Sequence, residues 1–257
     1  MSILSRVVQA LVVVAAVHGS PLERRGTVPS NQIVGLPEAV PNNVTGELYK
    51  AYQPFLQVQG GCVPFPAVDA NGNTKYAPSA PPFLWRRVLI STSSEGLKET
   101  GSPSSGCSGS TGQVYARGFQ AANGRYAIMY SWYMPKDSPS TGLGHRHDWE
   151  GAIIWLASST AKAAGNILAV CPSAHGDWKC DTKFSLSGTG AQLAYSSTWP
   201  VNHALSLTST KGGQQPLVAW ESMSDVVKAA LQTTNFGSAN VPFKDSTLAA
   251  NMEKAKF

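Results

Sequence analysis

Six consecutive residues, His145-Arg146-His147-Asp148-Trp149-Glu150, gather two imidazoles, a guanidinium and two carboxylates. Charged residues make up only 14% of the 257-residue chain, so the crowding calls for a reason. Such side chains can hold a cation, move protons, or neutralise one another across a wet surface. Suppose a strand begins at Asp148 and runs through Ile154. Alternation then sends Asp148 and Glu150 to one face and Trp149 to the other. Gly142 and Gly144 let the preceding loop fold back, which brings His145 to the carboxylates. Asp137, in the loop after a strand ending at Met134, approaches from the neighbouring strand end. Three carboxylates and one imidazole at one sheet edge repel one another, and a divalent cation relieves that. An oxygen-rich set with one nitrogen favours Mg²⁺ or Ca²⁺, with Mn²⁺ a third candidate, over Zn²⁺. The competing reading pairs Arg146 with Asp148 or Glu150 on a solvated surface. Spacing alone does not choose between them. His147 falls on the Trp149 face, where it needs a buried hydrogen-bond partner.

The elements that must position these residues read mostly as β. VYARGF (114–119) and RYAIMYSWYM (125–134) are rich in aromatic and β-branched residues, with Ala-Asn-Gly turn chemistry between them. WEGAIIWLA (149–157), NILAV (166–170), HALSLT (203–208) and PLVAWES (216–222) follow, separated by Gly, Ser, Thr and Pro clusters. That spacing predicts an antiparallel sheet or sandwich. Helices are expected at the margins: 45–57, a helix over VVKAALQ capped by Ser224-Asp225, and one over TLAANMEKA capped by Asp245-Ser246. The fold class is mainly β with peripheral α-helices, in one domain over residues 26–257.

Residues 1–19 combine an early Arg6, the apolar run ALVVVAAV and small residues at Val17 and Gly19, the pattern of a cleaved secretory signal. The run is too short to span a bilayer. Leu22-Glu23-Arg24-Arg25 adds a dibasic site, so 20–25 reads as a propeptide. Trimming 1–25 removes three positive charges and one negative, taking the formal charge from +5 to +3. That balance gives little support to nucleic-acid binding, which needs a concentrated basic stripe. The mature chain is expected to be secreted and monomeric in solution.

All four cysteines lie in the secreted part, so disulfides are expected. Cys171 and Cys180 flank a turn-rich segment that folds back easily, which leaves Cys62 for Cys107. On the loop-entropy model the long loop stabilises by about 4 kcal/mol and the short one by about 2.7 kcal/mol. Asn43-Val44-Thr45 is a glycosylation sequon. Enzyme signatures are absent: there is no GxSxG elbow and no HExxH helix. Asp69-Ala-Asn71-Gly-Asn73 imitates the start of an EF-hand, but Gly72 is misplaced and position twelve is Ala80, so it reads as a turn.

The block AIMYSWYMPKDSPSTGLGHRHDWE (127–150) closely resembles the signature of the necrosis- and ethylene-inducing-peptide-like (NLP) proteins, a family of secreted microbial cytolysins. QGGCVPFPAVDANGNT, GCSGSTGQVYARG, CPSAHGDW and STWPVNHAL also look like family segments, so the resemblance spans nearly the whole mature chain. It implies a β-sandwich flanked by helices, similar to actinoporins and fungal fruit-body lectins. It implies action on the outer leaflet of plant plasma membranes through glycosylinositol phosphorylceramide sphingolipids, with lysis of eudicot cells. The family's divalent cation is held by positions matching Asp137, His145, Asp148 and Glu150. Trp199 and His203 match a loop implicated in sugar or membrane engagement, and an indole suits a membrane interface. A plant immune receptor is a further partner. The four cysteines depart from the two-cysteine subclass that the signature block resembles, and some relatives with intact motifs are non-cytolytic.

The resulting expectation is a toxin without enzymatic activity that grips a head-group sugar through a bound cation. Two rivals stand beside it. One is a non-lytic lectin or immune-pattern protein. The other is a secreted cupin-like metalloenzyme using His145, His147 and Glu150, although no second downstream histidine motif is present.

Overall fold

The computed structural model describes residues 27–28, 33–75, 96–197, 200 and 202–257. The expected signal (1–19), the propeptide (20–25) and Trp199 lie outside the described residues. In chain order the strands are β1 (Thr27–Val28), β2 (Phe55–Gln59), β3 (Thr74–Lys75), β4 (Val114–Gln120), β5 (Tyr126–Asp137), β6 (His145–Leu156), β7 (Ile167–Ala174), β8 (Asp177–Trp178), β9 (Leu186–Ser187), β10 (Gly190–Ser196), β11 (Ala204–Leu207) and β12 (Leu217–Ala219). The helices are α1 (Val44–Ala51), α2 (Asp225–Thr233) and α3 (Asp245–Lys254).

The main sheet runs β12-β4-β5-β6-β7-β8 and is antiparallel except where β12 joins β4 in parallel. A second sheet runs β11-β10-β2, with β9 also on β10, and β11 lies against β6 and β7. Every residue from Ala127 to Asp137 is buried. A strand covered on both faces needs no alternation, which is why residues 127–134 of β5 are apolar or aromatic on both faces except at Ser131. β5 and β6 are the longest strands, at 12 residues each. Their length carries the site residues out to the sheet edge. The expected architecture, mainly β as a sandwich with helices at its margins, is the one observed.

Boundaries differ where local chemistry competes. The helix expected over 45–57 stops at Ala51. Pro54 lacks a donor and disfavours helix at Gln53, so the chain turns into β2, which pairs in parallel with β10. Asn43 caps α1 by accepting from the N–H of Thr45 at 2.9 Å. Ser224 sits at the N-cap of α2 without a side-chain bond to the backbone. Asp245 is the first residue of α3, not its cap, and its carboxylate pairs with Arg117 at 2.7 Å. β10, GAQLAYS, is a strand that the sequence pattern did not announce. Asp69 accepts from the N–H groups of Asn71 and Asn73 at 2.9 Å, so the segment that imitates an EF-hand is a turn. Both expected disulfides are present, Cys62–Cys107 and Cys171–Cys180.

Candidate cation site

β5 and β6 are joined by a loop whose two ends, Asp137 and His145, are paired across the ladder. Gly144 makes that closure possible. Its φ is +103°, and a Cβ there would fall 2.0 Å from the Asp137 carbonyl oxygen, so only glycine fits.

β6 already begins at His145, three residues before the expected start. In a regular strand His145 and Asp148, an odd number apart, would face opposite sides. His147 has φ +62°, which breaks the alternation between them. His145 therefore joins Asp148 and Glu150 around one cavity, without needing the loop to fold back. A left-handed histidine stores of order 1 kcal/mol or more of strain. Its surroundings hold it there: Nδ1 lies 2.6 Å from the Tyr133 hydroxyl, and the ring meets Phe236 edge-on at 5.4 Å. Trp149 packs on the same side against Tyr115, Tyr133, Phe236 and Phe243. His147 and Trp149 thus pack away from the carboxylate side, as alternation predicts, although Trp149 also borders the cavity that Asp148 and Glu150 line.

Each carboxylate is buried and has its own donor. Asp137, 2% exposed, accepts from the backbone N–H of His203 at 3.1 Å and lies 2.7 Å from His203 Nδ1. His203 Nε2 is 3.0 Å from the Gly60 carbonyl, and the ring stacks on Tyr195. With acceptors at both nitrogens, the imidazolium satisfies both. Burial lowers the His203 pKa, but the hydrogen bond and charge of Asp137 outweigh it, and the net shift is upward. His203, expected in a sugar- or membrane-contacting loop, is 2% exposed and forms part of the cavity wall behind Asp137. Asp148 accepts from the Tyr195 hydroxyl at 2.7 Å. Burial, then the charge of Asp137, pushes its carboxyl up to about 7. Glu150 accepts from the Ser173 hydroxyl, which the N–H of Gly151 holds in place at 2.8 Å. Burial and the neighbouring Asp148 push Glu150 well above the carboxylate range. A wet surface ion pair does not describe two carboxylates that are each 6% exposed.

His145 lies across the cavity. Its Nδ1 is 2.8 Å from the His147 carbonyl and so carries the proton, which leaves the Nε2 lone pair facing inward, 4.0 Å from Asp137 Oδ2. Ionised, the three carboxylates against the His203 imidazolium leave two negative charges, the complement of a divalent ion. Among the described residues no three His, Cys, Asp or Glu groups are gathered closely enough to hold a metal as they stand. His203, Tyr195 and Ser173 each engage a different one of the three carboxylates. A hard, hydrated cation fits such a set better than a dry tetrahedral one. The cavity measures about 670 Å³, and its far wall is formed by the β7–β8 turn, Asn202 and α3. Tyr195 and Ser173 are the participants that sequence reasoning missed, because neither lies in a spacing that ties it to the charged block.

The family "Necrosis inducing protein (NPP1)" matches residues 46–77 and 91–255. The chain is 40% identical over 237 residues to NLP effector protein 10 of Phytophthora capsici, covering 90% of this chain and 92% of that protein. It is 39% identical over 265 residues to Necrosis-inducing protein NPP1 of Phytophthora nicotianae, covering all of both. Among solved structures, NLPPya in complex with mannosamine superposes with a TM-score of 0.76 at 41% identity, covering 90% of this chain and 100% of that one. Its complex with glucosamine matches equally well, at a TM-score of 0.76. The non-toxic HaNLP3 protein also superposes, with a TM-score of 0.76 at 32% identity, covering 88% of this chain and 98% of that one. Matched along nearly its whole length in sequence and in fold, the chain belongs to the necrosis-inducing NLP family.

Proposed function

We propose that this protein is a secreted, non-enzymatic cytolysin that recognises the sugar head groups of plant plasma-membrane sphingolipids, the glycosylinositol phosphorylceramides, through a divalent cation. The observation that carries this reading is the buried, mutually repelling carboxylate set of Asp137, Asp148 and Glu150, which faces a cavity of sugar size. The complexes of NLPPya with glucosamine and mannosamine support a sugar as the occupant. Asp137, His145, Asp148 and Glu150 would hold Mg²⁺ or Ca²⁺. When bound, the ion would supply a Lewis-acidic point for the vicinal hydroxyls of a sugar. Tyr195, Ser173 and His203 orient the carboxylates towards it. Trp199 would then enter the membrane interface, and the work is done by coordination and shallow burial. The cupin-like reading loses a ligand, because His147 points to Tyr133 and Phe236 on the opposite face.

The test is dye release from vesicles made with eudicot or monocot sphingolipids, with and without chelator. Release from eudicot vesicles that chelator or Asp137→Ala abolishes is the expected result. Full lysis by a folded Asp137→Ala protein would overturn the reading. The likeness to the non-toxic HaNLP3 protein favours a second reading, a non-lytic lectin or immune-pattern protein. Sphingolipid binding without dye release would establish it.

A further inference from the structure

A second cavity, of about 580 Å³, adjoins the first. His175 and Asn202 line both, so the two cavities meet along a ridge made by these side chains. The ridge is built by the β7–β8 hairpin. Ser173 pairs with Trp178 and Ala174 with Asp177, leaving His175 and Gly176 as a two-residue turn. Their φ values are +52° and +84°, both positive as a type I′ turn requires. Asn-Gly is the residue pair that such a turn favours. The turn would be as well or better served by asparagine at position 175, so its geometry does not account for the exposed imidazole there.

The hairpin is also fixed from several sides. The Cys171–Cys180 disulfide closes its base, and Lys179 N–H donates to the Pro172 carbonyl at 2.9 Å. From α3, Lys254 Nζ donates to the Gly176 carbonyl at 2.6 Å, and Trp178 Nε1 donates to Asn251 at 3.3 Å. Rigid placement lowers the entropy lost when a ligand is gripped. Beyond the ridge the second cavity offers Ser196 and Ser206, with Lys179 and Asp181 as charges of opposite sign. No net charge and several hydroxyl-matching groups suit a neutral, hydroxyl-rich unit. The Cys171–Cys180 disulfide thereby acquires a role, as the clamp beneath the ridge.

We propose that the second cavity is a subsite for a second saccharide unit, with His175 as the residue that bridges it to the unit held in the cation cavity. The proposal rests on the reading of the first cavity as a sugar site. Two polar side chains on the ridge, each adding one modest hydrogen bond, amount to a gain of about tenfold in affinity.

The experiment is calorimetric titration of the mature protein, with Mg²⁺ or Ca²⁺, using glucosamine and a panel of glucosamine-terminated disaccharides of different linkages. At least one disaccharide is expected to bind about tenfold more tightly than glucosamine. Ser206→Trp, which fills the second cavity from an exposed strand position, should abolish that gain and leave glucosamine affinity within about twofold, and His175→Asn, which keeps the turn, should abolish the gain as well. A panel in which no disaccharide exceeds glucosamine would overturn the proposal. So would a gain that survives in both variants. Failure of glucosamine itself to bind would instead overturn the reading of the first cavity.

Discussion

Replacing a site carboxylate should make this protein more stable when cations are withheld. Asp148 is buried, and that burial followed by the charge of Asp137 moves its carboxyl from 3.8 to about 7. At about 1.4 kcal/mol per unit, the ionised form is disfavoured in the fold by about 4 kcal/mol. The folded pKa lies above the unfolded one, so between these values the folded state binds more protons. Stability in chelator must then fall as pH rises from about 4 to about 7, and the full penalty is present above that window. Glu150 shifts in the same direction, so it steepens the decline. Asp148→Asn removes the charge at nearly constant shape. In chelator at pH 7.5, urea unfolding should show Asp148→Asn more stable than the parent by up to about 4 kcal/mol, with a flatter pH profile. Millimolar Mg²⁺ or Ca²⁺ should stabilise the parent by an amount that grows with pH, and the variant far less. A variant no more stable than the parent in chelator, or a cation effect that does not change from pH 5 to 7.5, would refute the reasoning.

Three further outcomes follow from the same geometry. Tyr195→Phe removes the donor to Asp148 and should weaken cation affinity by roughly tenfold or more, read by calorimetry, with the fold kept. Tyr133→Phe takes the hydroxyl from buried His147 on the opposite face. It should cost about 1–2 kcal/mol in urea unfolding and weaken cation affinity, because the left-handed His147 backbone that turns His145 to the carboxylates loses a support. Gly144→Ala meets both a positive φ and the Asp137 carbonyl at 2.0 Å. It should destabilise by roughly 2 kcal/mol or more and lower cation affinity together, because relief of the clash moves Asp137.

Side-chain chemistry and periodicity made part of this protein legible without a structure. The aromatic and β-branched runs that become β4, β5 and β6 show themselves because β propensity and burial act locally. The disulfide pairing follows from a turn-rich nine-residue separation that folds back on itself. Asp148 and Glu150 share a face by strand alternation alone. Where the sequence misled, a longer-range term won. GAQLAYS has weak strand propensity, and it becomes β10 because β2 and β11 supply hydrogen-bond partners on both sides. The pattern of residues 45–57 predicts helix past Ala51, yet Pro54 and the parallel partner β10 claim that segment for β2.

The site divides the same way. Its donor types were fixed by the one-dimensional pattern, because a cluster of carboxylates and imidazoles in a charge-poor chain has few uses. Its assembly was not. His145 faces the carboxylates only because His147 takes a left-handed backbone, and that conformation depends on Tyr133 of the neighbouring strand and on Phe236 from a distant segment. Asp137 is held by His203, 66 residues away, Asp148 by Tyr195 and Glu150 by Ser173. Burial and charge proximity, which set the protonation of these groups, are properties of the packed chain, and no spacing along the sequence encodes them.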